Sequence, residues 1–145
     1  MILNFKKTNK SITTPARGSE YSAGLDLCAY IDKAVTIEPG ETVIVGTGIC
    51  VEIPDGYFGA VFARSGTAAK RGLRPANCVG VIDSDYRGEI KLALHNDSAI
   101  PQTITNAERI AQLVIIPYIT AELNEVDTLN DSERGTGGFG STGEK

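Results

Sequence analysis

Tryptophan is absent from the sequence, and aromatic residues make up only 6% of its 145 residues. The hydrophobic core must therefore be built mainly from Val, Ile, Leu and Ala, which bury less area per side chain than aromatic rings do. A domain of this length still leaves roughly 30% of its unfolded surface exposed after folding. Burial within one chain is therefore modest, and we expect association between chains to increase stability.

Cysteine and histidine are also scarce. The three cysteines, Cys28, Cys50 and Cys78, are widely spaced, odd in number and form no C-x-x-C pair, and the only histidine is His95. This pattern supports neither a disulfide framework nor a zinc site. We interpret the cysteines as small reduced residues of the core or loops. His95 ends an apolar strand pattern, which favours a strand-end surface residue over a catalytic base.

Positive charge and long apolar runs are lacking as well. The net charge is -4, the pI is near 5.0 and no basic stripe is present, which argues against a general nucleic-acid-binding protein. The apolar stretches, among them residues 113–116, are too short to span a bilayer, and residues 1–10 lack the apolar run of a signal peptide. We therefore expect a soluble, cytoplasmic protein that binds neither nucleic acid nor membranes.

Short β-type runs separated by turn signals recur along most of the sequence. Turns at residues 38–40, 54–56 and 86–88 each end in glycine and supply a fixed φ or a tolerated positive φ. A helical pattern is confined to residues 66–71. Regular short strands of this kind predict an all-β antiparallel barrel or sandwich. The predicted strands cover residues 42–45, 48–53, 57–62, 79–82, 89–95 and 110–119.

The C-terminal residues are rich in glycine and poor in apolar side chains. No linker divides the preceding sequence, so we assign residues 1–131 to one β-barrel domain and residues 132–145 to a flexible arm. Gly135, Gly137 and Gly140 match the dinucleotide fingerprint G-x-G-x-x-G, but they follow no strand and open no helix, which argues against that interpretation. The arm's arginine, N–H donors, aromatic ring and hydroxyls suit closure over a phosphate chain.

Arg64, Ser65 and Gly66 stand where a predicted strand ends and the helical turn begins. The first turn of a helix offers backbone N–H groups, Ser65 can cap it or bond a phosphate oxygen, and Arg64 adds a fork of donors. This segment is a candidate phosphate loop, although such tripeptides also occur in ordinary surface turns.

Residues 80–88 carry the most informative pattern. A buried-type strand, residues 79–82, runs into Asp83, Asp85, Tyr86 and a glycine turn before the next strand begins at residue 89. We predict a hairpin that presents main-chain donors and acceptors to a planar base, with a carboxylate held beside them. A lone Asp-x-Asp would otherwise be interpreted as a solvated turn.

Five motifs stand in sequence order with a spacing that is itself distinctive, and through them nearly the whole sequence resembles the trimeric dUTPase family. The resemblance implies a jelly-roll-like antiparallel β-barrel and a homotrimer with active sites at its interfaces. It also implies hydrolysis of dUTP to dUMP and pyrophosphate, which keeps uracil out of DNA and supplies dUMP for thymidylate synthesis. The motifs are residues 23–27, 64–66, 80–88, 109–113 and 134–142.

The resemblance assigns the chemistry to a few side chains. Asp83 matches the general base that activates a water for in-line attack on the α-phosphorus and meets the 3′-hydroxyl. Gln112 would order water near the α-phosphate or the metal. Tyr86 would lie against the deoxyribose and leave no room for a 2′-hydroxyl. Asp26 would hold the site together through hydrogen bonds or metal-bound water, and Arg109 would support it.

The remaining contacts implied by the resemblance form three groups. The phosphates would be bound by Arg64, Ser65 and Gly66. The uracil edge would be read by Asn77 and the main chain of Val79, Gly80 and Val81, with Ile82 as a further substrate-binding residue. Lys91 is a candidate minor contact, although its position is more typical of a solvated strand lysine. The arm would contribute Arg134, Ser141 and Thr142 to the γ-phosphate side, Gly140 to the closure and Phe139 to the uracil face.

A triphosphate that approaches an acidic protein is opposed by long-range charge, so a metal must supply much of the compensation. The sequence has no cage of acidic ligands, which fits Mg²⁺ held through the phosphates and waters. Two departures from the family pattern stand out: Ala63 where many relatives have proline, and the less typical residues 71–75. Neither removes a functional group.

Two alternatives compete with the dUTPase assignment. dCTP deaminases share the fold and the trimer, but the position that matches their glutamate is Ala93, and zinc-deaminase ligands are missing. From another class, a regulatory module could use a nucleotide-gated arm to engage a protein partner. An additional protein partner stays open, although the intact catalytic set favours an enzyme.

Overall fold

The computed structural model describes residues 1–138 and consists mainly of short β-strands. The strands predicted at residues 57–62 and 79–82 have the predicted bounds, and the helix predicted at residues 66–71 begins one residue earlier, at Ser65. The elements of the described residues are β1 (Asn4–Lys7), β2 (Ala16–Arg17), β3 (Leu25–Cys28), β4 (Val35–Ile37), β5 (Thr42–Gly46), β6 (Ile49–Glu52), β7 (Tyr57–Phe62), α1 (Ser65–Arg71), β8 (Leu73–Pro75), β9 (Val79–Ile82), β10 (Lys91–Asn96), β11 (Gln102–Ile104) and β12 (Arg109–Pro117).

The strand pairs are antiparallel and form four sheets. The largest has the order β2-β3-β12-β7-β9, the next is β5-β10-β8, and two pairs, β1-β6 and β11-β4, complete the set. In the largest sheet Gln112 of β12 lies opposite both Asp26 of β3 and Phe62 of β7. Because directly opposed residues in a sheet project from the same face, this register brings Asp26 and Gln112 together.

The core consists of aliphatic side chains drawn from all four sheets, as the composition predicts. Alternation along the strands turns these residues inward, and Asn96 is buried among them because its amide donates to the carbonyls of Ile37 and Ile100, both at 2.9 Å. The largest fully buried apolar side chains are Leu27, Ile37, Ile49, Ile53, Leu73, Ile90, Leu94, Ile104, Ile110, Leu113 and Val45.

The predicted hairpin between residues 79–82 and the following strand is wrong. β9 pairs with β7, whereas β10 pairs with β5 and β8, so the two strands belong to different sheets. The connection is drawn away because the Ile90 N–H donates to Ile49 O at 2.8 Å and Glu89 accepts from the Gly48 N–H at 2.7 Å. β9 therefore lies at the edge of its sheet.

Two of the three glycine turns adopt the expected backbone. Gly40 and Gly56 have φ values of 76° and 80°. Gly88 is not among the residues with positive φ, so the prediction for that turn is wrong. A Cβ at Gly88 would lie 2.4 Å from Tyr86 Oη. Glycine is needed there because the tyrosine ring lies against the backbone.

Residues 118–138 follow the last strand and contain no strand or helix. Ile119, Leu123 and Leu129 are at least 84% exposed in this segment. The sheets thus end at Pro117, and the domain boundary at residue 131 stays a prediction. No helix within residues 1–138 is long and apolar enough to cross a membrane.

Candidate active site

Residues from three of the sequence motifs line one cavity of about 390 Å³, which we call the phosphate-side cavity. β3, β12 and the start of α1 converge there because β12 pairs with β3 and with β7, which leads into the helix. Its walls are polar and carry two charged side chains of opposite sign. The lining residues are Gly18, Ser22, Gly24, Asp26, Arg64, Ser65, Gly66 and Gln112.

Asp26 joins two arginines at this cavity. Its Oδ1 accepts from Arg64 Nε at 2.8 Å, and its Oδ2 accepts from Arg109 Nη1 at 3.2 Å. The carboxylate is 14% exposed, compared with 32% for Arg64 and 57% for Arg109. Charge-assisted bonds of this kind fix the direction of a guanidinium, so Asp26 orients Arg64 while the outer edge of that side chain lines the cavity.

Gln112 is fixed by contacts on both sides. Its Nε2 donates to the carbonyl of Ala63 at 3.1 Å. If a side chain replaced the hydrogen of Gly24, its Cβ would lie 2.6 Å from Gln112 Oε1 and 3.0 Å from Gln112 Cβ. Sequence reasoning missed Gly24 as a functional position, although it lies inside the first motif. The acceptor is the main-chain carbonyl of residue 63. This contact therefore does not depend on whether the residue is alanine, as here, or proline, as in many relatives.

The helix α1 begins at Ser65 and has Arg64 as its N-cap residue, with φ -77° and ψ 143°. The sequence left two roles open for Ser65, capping the helix or bonding a phosphate oxygen. No side-chain hydrogen bond caps the helix, and Ser65 is already the first helical residue, which excludes the first role. Its exposed side chain lies at the phosphate-side cavity instead. The helix ends at Arg71, and Gly72, with a φ of 65°, is its C-terminal cap.

A second cavity, of about 280 Å³, lies between β9 and β10, and we call it the base-side cavity. β9 is an edge strand, so one side of its main chain has no strand partner within the described residues. This cavity shares no lining residue with the phosphate-side cavity. It is lined by Val61, Pro75, Ala76, Asn77, Gly80, Val81, Ile82, Lys91, Leu92 and Ala93.

Asp83 and Tyr86 follow the end of β9. The Tyr86 N–H donates to Asp83 O at 3.2 Å, and Tyr86 Oη donates to Glu89 O at 2.9 Å. The phenol is therefore held at its hydroxyl and at its ring, which rests on Gly88, although it remains 44% exposed. Asp83 is exposed and lines neither cavity.

Cys28 lies beside the Asp26 cluster. Burial and the neighbouring Asp26 carboxylate raise the pKa of its thiol, while Arg109 and Arg64 oppose the shift. The thiol is therefore held in its neutral form.

The chain matches the family model described as dUTPase over residues 10–143. It belongs to the dUTPase family. The deoxyuridine 5'-triphosphate nucleotidohydrolase of Nautilia profundicola is 49% identical over 143 residues, 99% of each chain. The enzyme of that name from Desulfitobacterium hafniense is 46% identical over 140 residues, 96% of this chain and 93% of the relative.

Solved dUTPase structures share the fold. The Staphylococcus bacteriophage 80alpha dUTPase with dUPNHPP has a TM-score of 0.84 and 31% identity over 98% of both chains. A mutant of the same phage enzyme has a TM-score of 0.87 and 30% identity, over 97% of this chain and 98% of the other. The predicted jelly-roll-like β fold is confirmed. Phage dUTPases are described as controlling the transfer of virulence genes, a property of those proteins.

Membership in the dUTPase family identifies the reaction. The chain is an enzyme that hydrolyses dUTP to dUMP and pyrophosphate, as predicted, which keeps uracil out of DNA and supplies dUMP for thymidylate synthesis.

The remaining predicted site residues of this dUTPase are Lys91, which lines the base-side cavity, and those of the arm. Lys91 is exposed, and its Nζ lies 3.9 Å from Glu89 Oε2. Arg134 Nε donates to Gly137 O at 2.8 Å, within the arm itself. The predictions for Phe139, Gly140, Ser141 and Thr142 lie outside the described residues.

Proposed function

We propose that this dUTPase hydrolyses its substrate by in-line attack of water on the α-phosphorus, with Asp83 as general base. The observation that carries the proposal is the position of Asp83 immediately after the edge strand that lines the base-side cavity. A substrate whose base lies against β9 would bring its sugar and α-phosphate toward this carboxylate. Proton removal by Asp83 and ordering of the water by Gln112 would then lower the barrier.

The phosphate-side cavity supplies the anion contacts in this proposal. Arg64, Ser65 and Gly66 bind the phosphates through a guanidinium, a hydroxyl and a close main-chain approach. Arg64 is already oriented by Asp26, so less freedom is lost when the triphosphate binds. Arg109 donates to the second oxygen of the Asp26 carboxylate and acts as a supporting residue.

The base-side cavity selects uracil and deoxyribose. Asn77 and the main chain of residues 79–82 read the uracil edge, because an edge strand offers unpaired donors and acceptors at fixed spacing. Tyr86 lies against the sugar and excludes a 2′-hydroxyl. Ala93 lines the same cavity, so the position that matches the deaminase glutamate offers no proton shuttle for attack on cytosine.

The separation of the two cavities supports an oligomer with shared sites. They have no lining residue in common, and a site completed by two chains at an interface would let one substrate contact both sets of residues. The exposed apolar side chains at Ile119, Leu123 and Leu129 would gain burial on association. We propose that the assembly is a homotrimer, in which an arm with Arg134, Phe139, Gly140, Ser141 and Thr142 closes over each site.

A divalent metal is used by the family, and we propose Mg²⁺ for this member. Residues 1–138 contain no group of three or more His, Cys, Asp or Glu side chains that could hold a metal ion directly. Both oxygens of Asp26 are engaged by arginines, so this carboxylate suits contact with metal-bound water more than direct ligation. When bound, the ion would neutralise part of the phosphate charge.

The test of the reaction is pyrophosphate release from dUTP, dCTP, dTTP and UTP, with and without Mg²⁺. We expect dUTP to be hydrolysed much faster than the other three nucleotides, and the reaction to depend on the metal. Turnover of dCTP without turnover of dUTP would contradict the assignment. Analytical ultracentrifugation tests the homotrimer, since a monomer with full activity would exclude a site shared between chains. The regulatory role considered from the sequence stays a prediction.

A further inference from the structure

Arg74 and Asp97 form a two-pronged ion pair next to the base-side cavity. Arg74 Nε lies 2.6 Å from Asp97 Oδ2, and Arg74 Nη2 lies 3.1 Å from Asp97 Oδ1. The two side chains are 35% and 45% exposed. Two contacts of this kind fix the plane of the guanidinium, whereas a single contact would leave the group free to rotate.

The remaining nitrogen of Arg74 contacts the loop that precedes β9. Nη1 donates to the carbonyls of Pro75 and Ala76, at 3.2 and 3.1 Å, and lies 3.8 Å from the Cys78 sulfur. Pro75 and Ala76 both line the base-side cavity. One guanidinium therefore ties the wall of this cavity to Asp97, which follows β10.

The loop needs such support because its backbone is unusual. Cys78 has a φ of 64°, which is uncommon for a residue other than glycine. Its N–H donates to Pro75 O at 2.9 Å, and the Val79 N–H donates to Asn77 O at 2.7 Å. The loop is a sequence of tight turns that opens directly into the edge strand. A small rotation within it would move Asn77 relative to β9.

We propose that Arg74 and Asp97 are positioning residues that set the discrimination between uracil and cytosine. The inference rests on the proposed function of Asn77 and β9 in reading the base. Uracil and cytosine differ in the donor and acceptor pattern at N3 and C4, so discrimination depends on polar groups held in fixed positions. Arg74 touches no substrate atom in this proposal and acts only through the main chain of the loop.

The experiment compares kcat/KM for dUTP and dCTP in the wild type, Arg74→Gln and Asp97→Asn. We expect Arg74→Gln to lower the dUTP/dCTP ratio about tenfold, mainly through a higher KM for dUTP. Asp97→Asn should lower the ratio less, because the guanidinium keeps its contacts with the loop. The double variant should resemble Arg74→Gln, since both changes disrupt one unit. Arg74→Lys should recover little, because lysine keeps the charge but not the fork.

Arg71→Gln is the matched control. Arg71 also makes a fork of contacts, with Gln102 at 3.0 Å, the Thr103 carbonyl at 2.7 Å and the Glu108 carboxylate, but none of these hydrogen bonds reaches the loop that precedes β9. We expect this variant to change both nucleotides by the same factor, so that the dUTP/dCTP ratio stays at the wild-type value.

An unchanged ratio in folded Arg74→Gln and Asp97→Asn would overturn the inference, as would an equal loss for both nucleotides accompanied by a lower Tm. Asn77→Ala separates this failure from that of the proposed function. If Asn77→Ala lowers the ratio and the two positioning variants do not, only the role of the pair is wrong. If Asn77→Ala also leaves the ratio unchanged, the loop does not read the base.

Discussion

The phosphate-side and base-side cavities differ in the kind of group that they offer to a substrate. The first collects charged and polar side chains from separate strands and a helix, and Asp26 links Arg64 of its wall to the neighbouring Arg109. The second relies on the main chain of β9 and of the loop before it. Phosphate recognition should therefore depend on which groups are present, and base recognition on where the backbone lies.

This contrast also predicts which substitutions matter. On the phosphate side, loss of a single functional group leaves a charge without its partner. On the base side, most side chains could change without loss of a contact, whereas a residue that holds the backbone is sensitive. Arg74 is such a residue, and it lies outside every family motif.

Asp83→Asn should give the largest effect and sharpens the comparison, because Asp83 directly follows β9 on the base side yet acts on a phosphate. Since an amide cannot accept the proton of the attacking water, kcat should fall by about 10³-fold or more. Steady-state kinetics measure this, and titration with a non-hydrolysable dUTP analogue should show that binding is retained. Wild-type kcat in this variant would remove Asp83 from the chemistry.

Removal of the residues after Glu133 should come next. If the arm closes over both parts of the site, its loss should lower kcat/KM for dUTP roughly a hundredfold, because the closed geometry is lost. Sedimentation of the truncated protein should show an unchanged oligomer. A truncated enzyme as active as the full chain would exclude arm closure.

Gly24→Ala should lower kcat about tenfold by displacing Gln112, since the new Cβ would lie 2.6 Å from Gln112 Oε1. Gly18→Ala is the matched control in the same cavity, because the nearest atom to its Cβ would be Ser22 Oγ at 3.8 Å. Kinetics of both variants measure the difference. Equal losses would show that Gln112 is not what the methyl group disturbs.

The smallest expected difference between the base side and the phosphate side is in the reactivity of their cysteine thiols. Cys78, on the base side, is exposed, whereas burial and the Asp26 carboxylate raise the pKa of the half-buried Cys28 thiol on the phosphate side. Iodoacetamide at pH 8 should therefore label Cys78 several-fold faster than Cys28, because the thiolate is the nucleophile. Peptide mass spectrometry over time measures both rates, and the reverse order would contradict this assignment of the environments.

Local patterns predicted much of the fold. Residues 57–62 and 79–82 are aliphatic or aromatic runs bounded by turns, and both form strands with those bounds. The hairpin prediction was wrong because strand pairing depends on hydrogen bonds between residues far apart in the sequence. Here these are the bonds of Glu89 and Ile90 with residues 48 and 49. No local pattern reports such bonds.

The candidate site was predictable where a motif carried it. The second motif predicted a helix start next to Arg64 and Ser65. The helix begins one residue earlier than predicted, so the N-cap residue is Arg64 and not Ser65. Arg74 was missed because its importance lies in contacts with main-chain carbonyls, which its sequence neighbours do not indicate. The function of a positioning residue becomes visible only in three dimensions.

The absence of any shared lining residue between the two cavities has a genetic consequence. In a trimer with sites between chains, a subunit damaged only on its phosphate side and one damaged only on its base side can complement each other. Co-expression of Arg64→Ala and Asp83→Asn chains in equal amounts should restore about a quarter of wild-type activity, because each mixed trimer contains one intact interface. Two such alleles, each inactive alone, would together sustain a cell that neither could support.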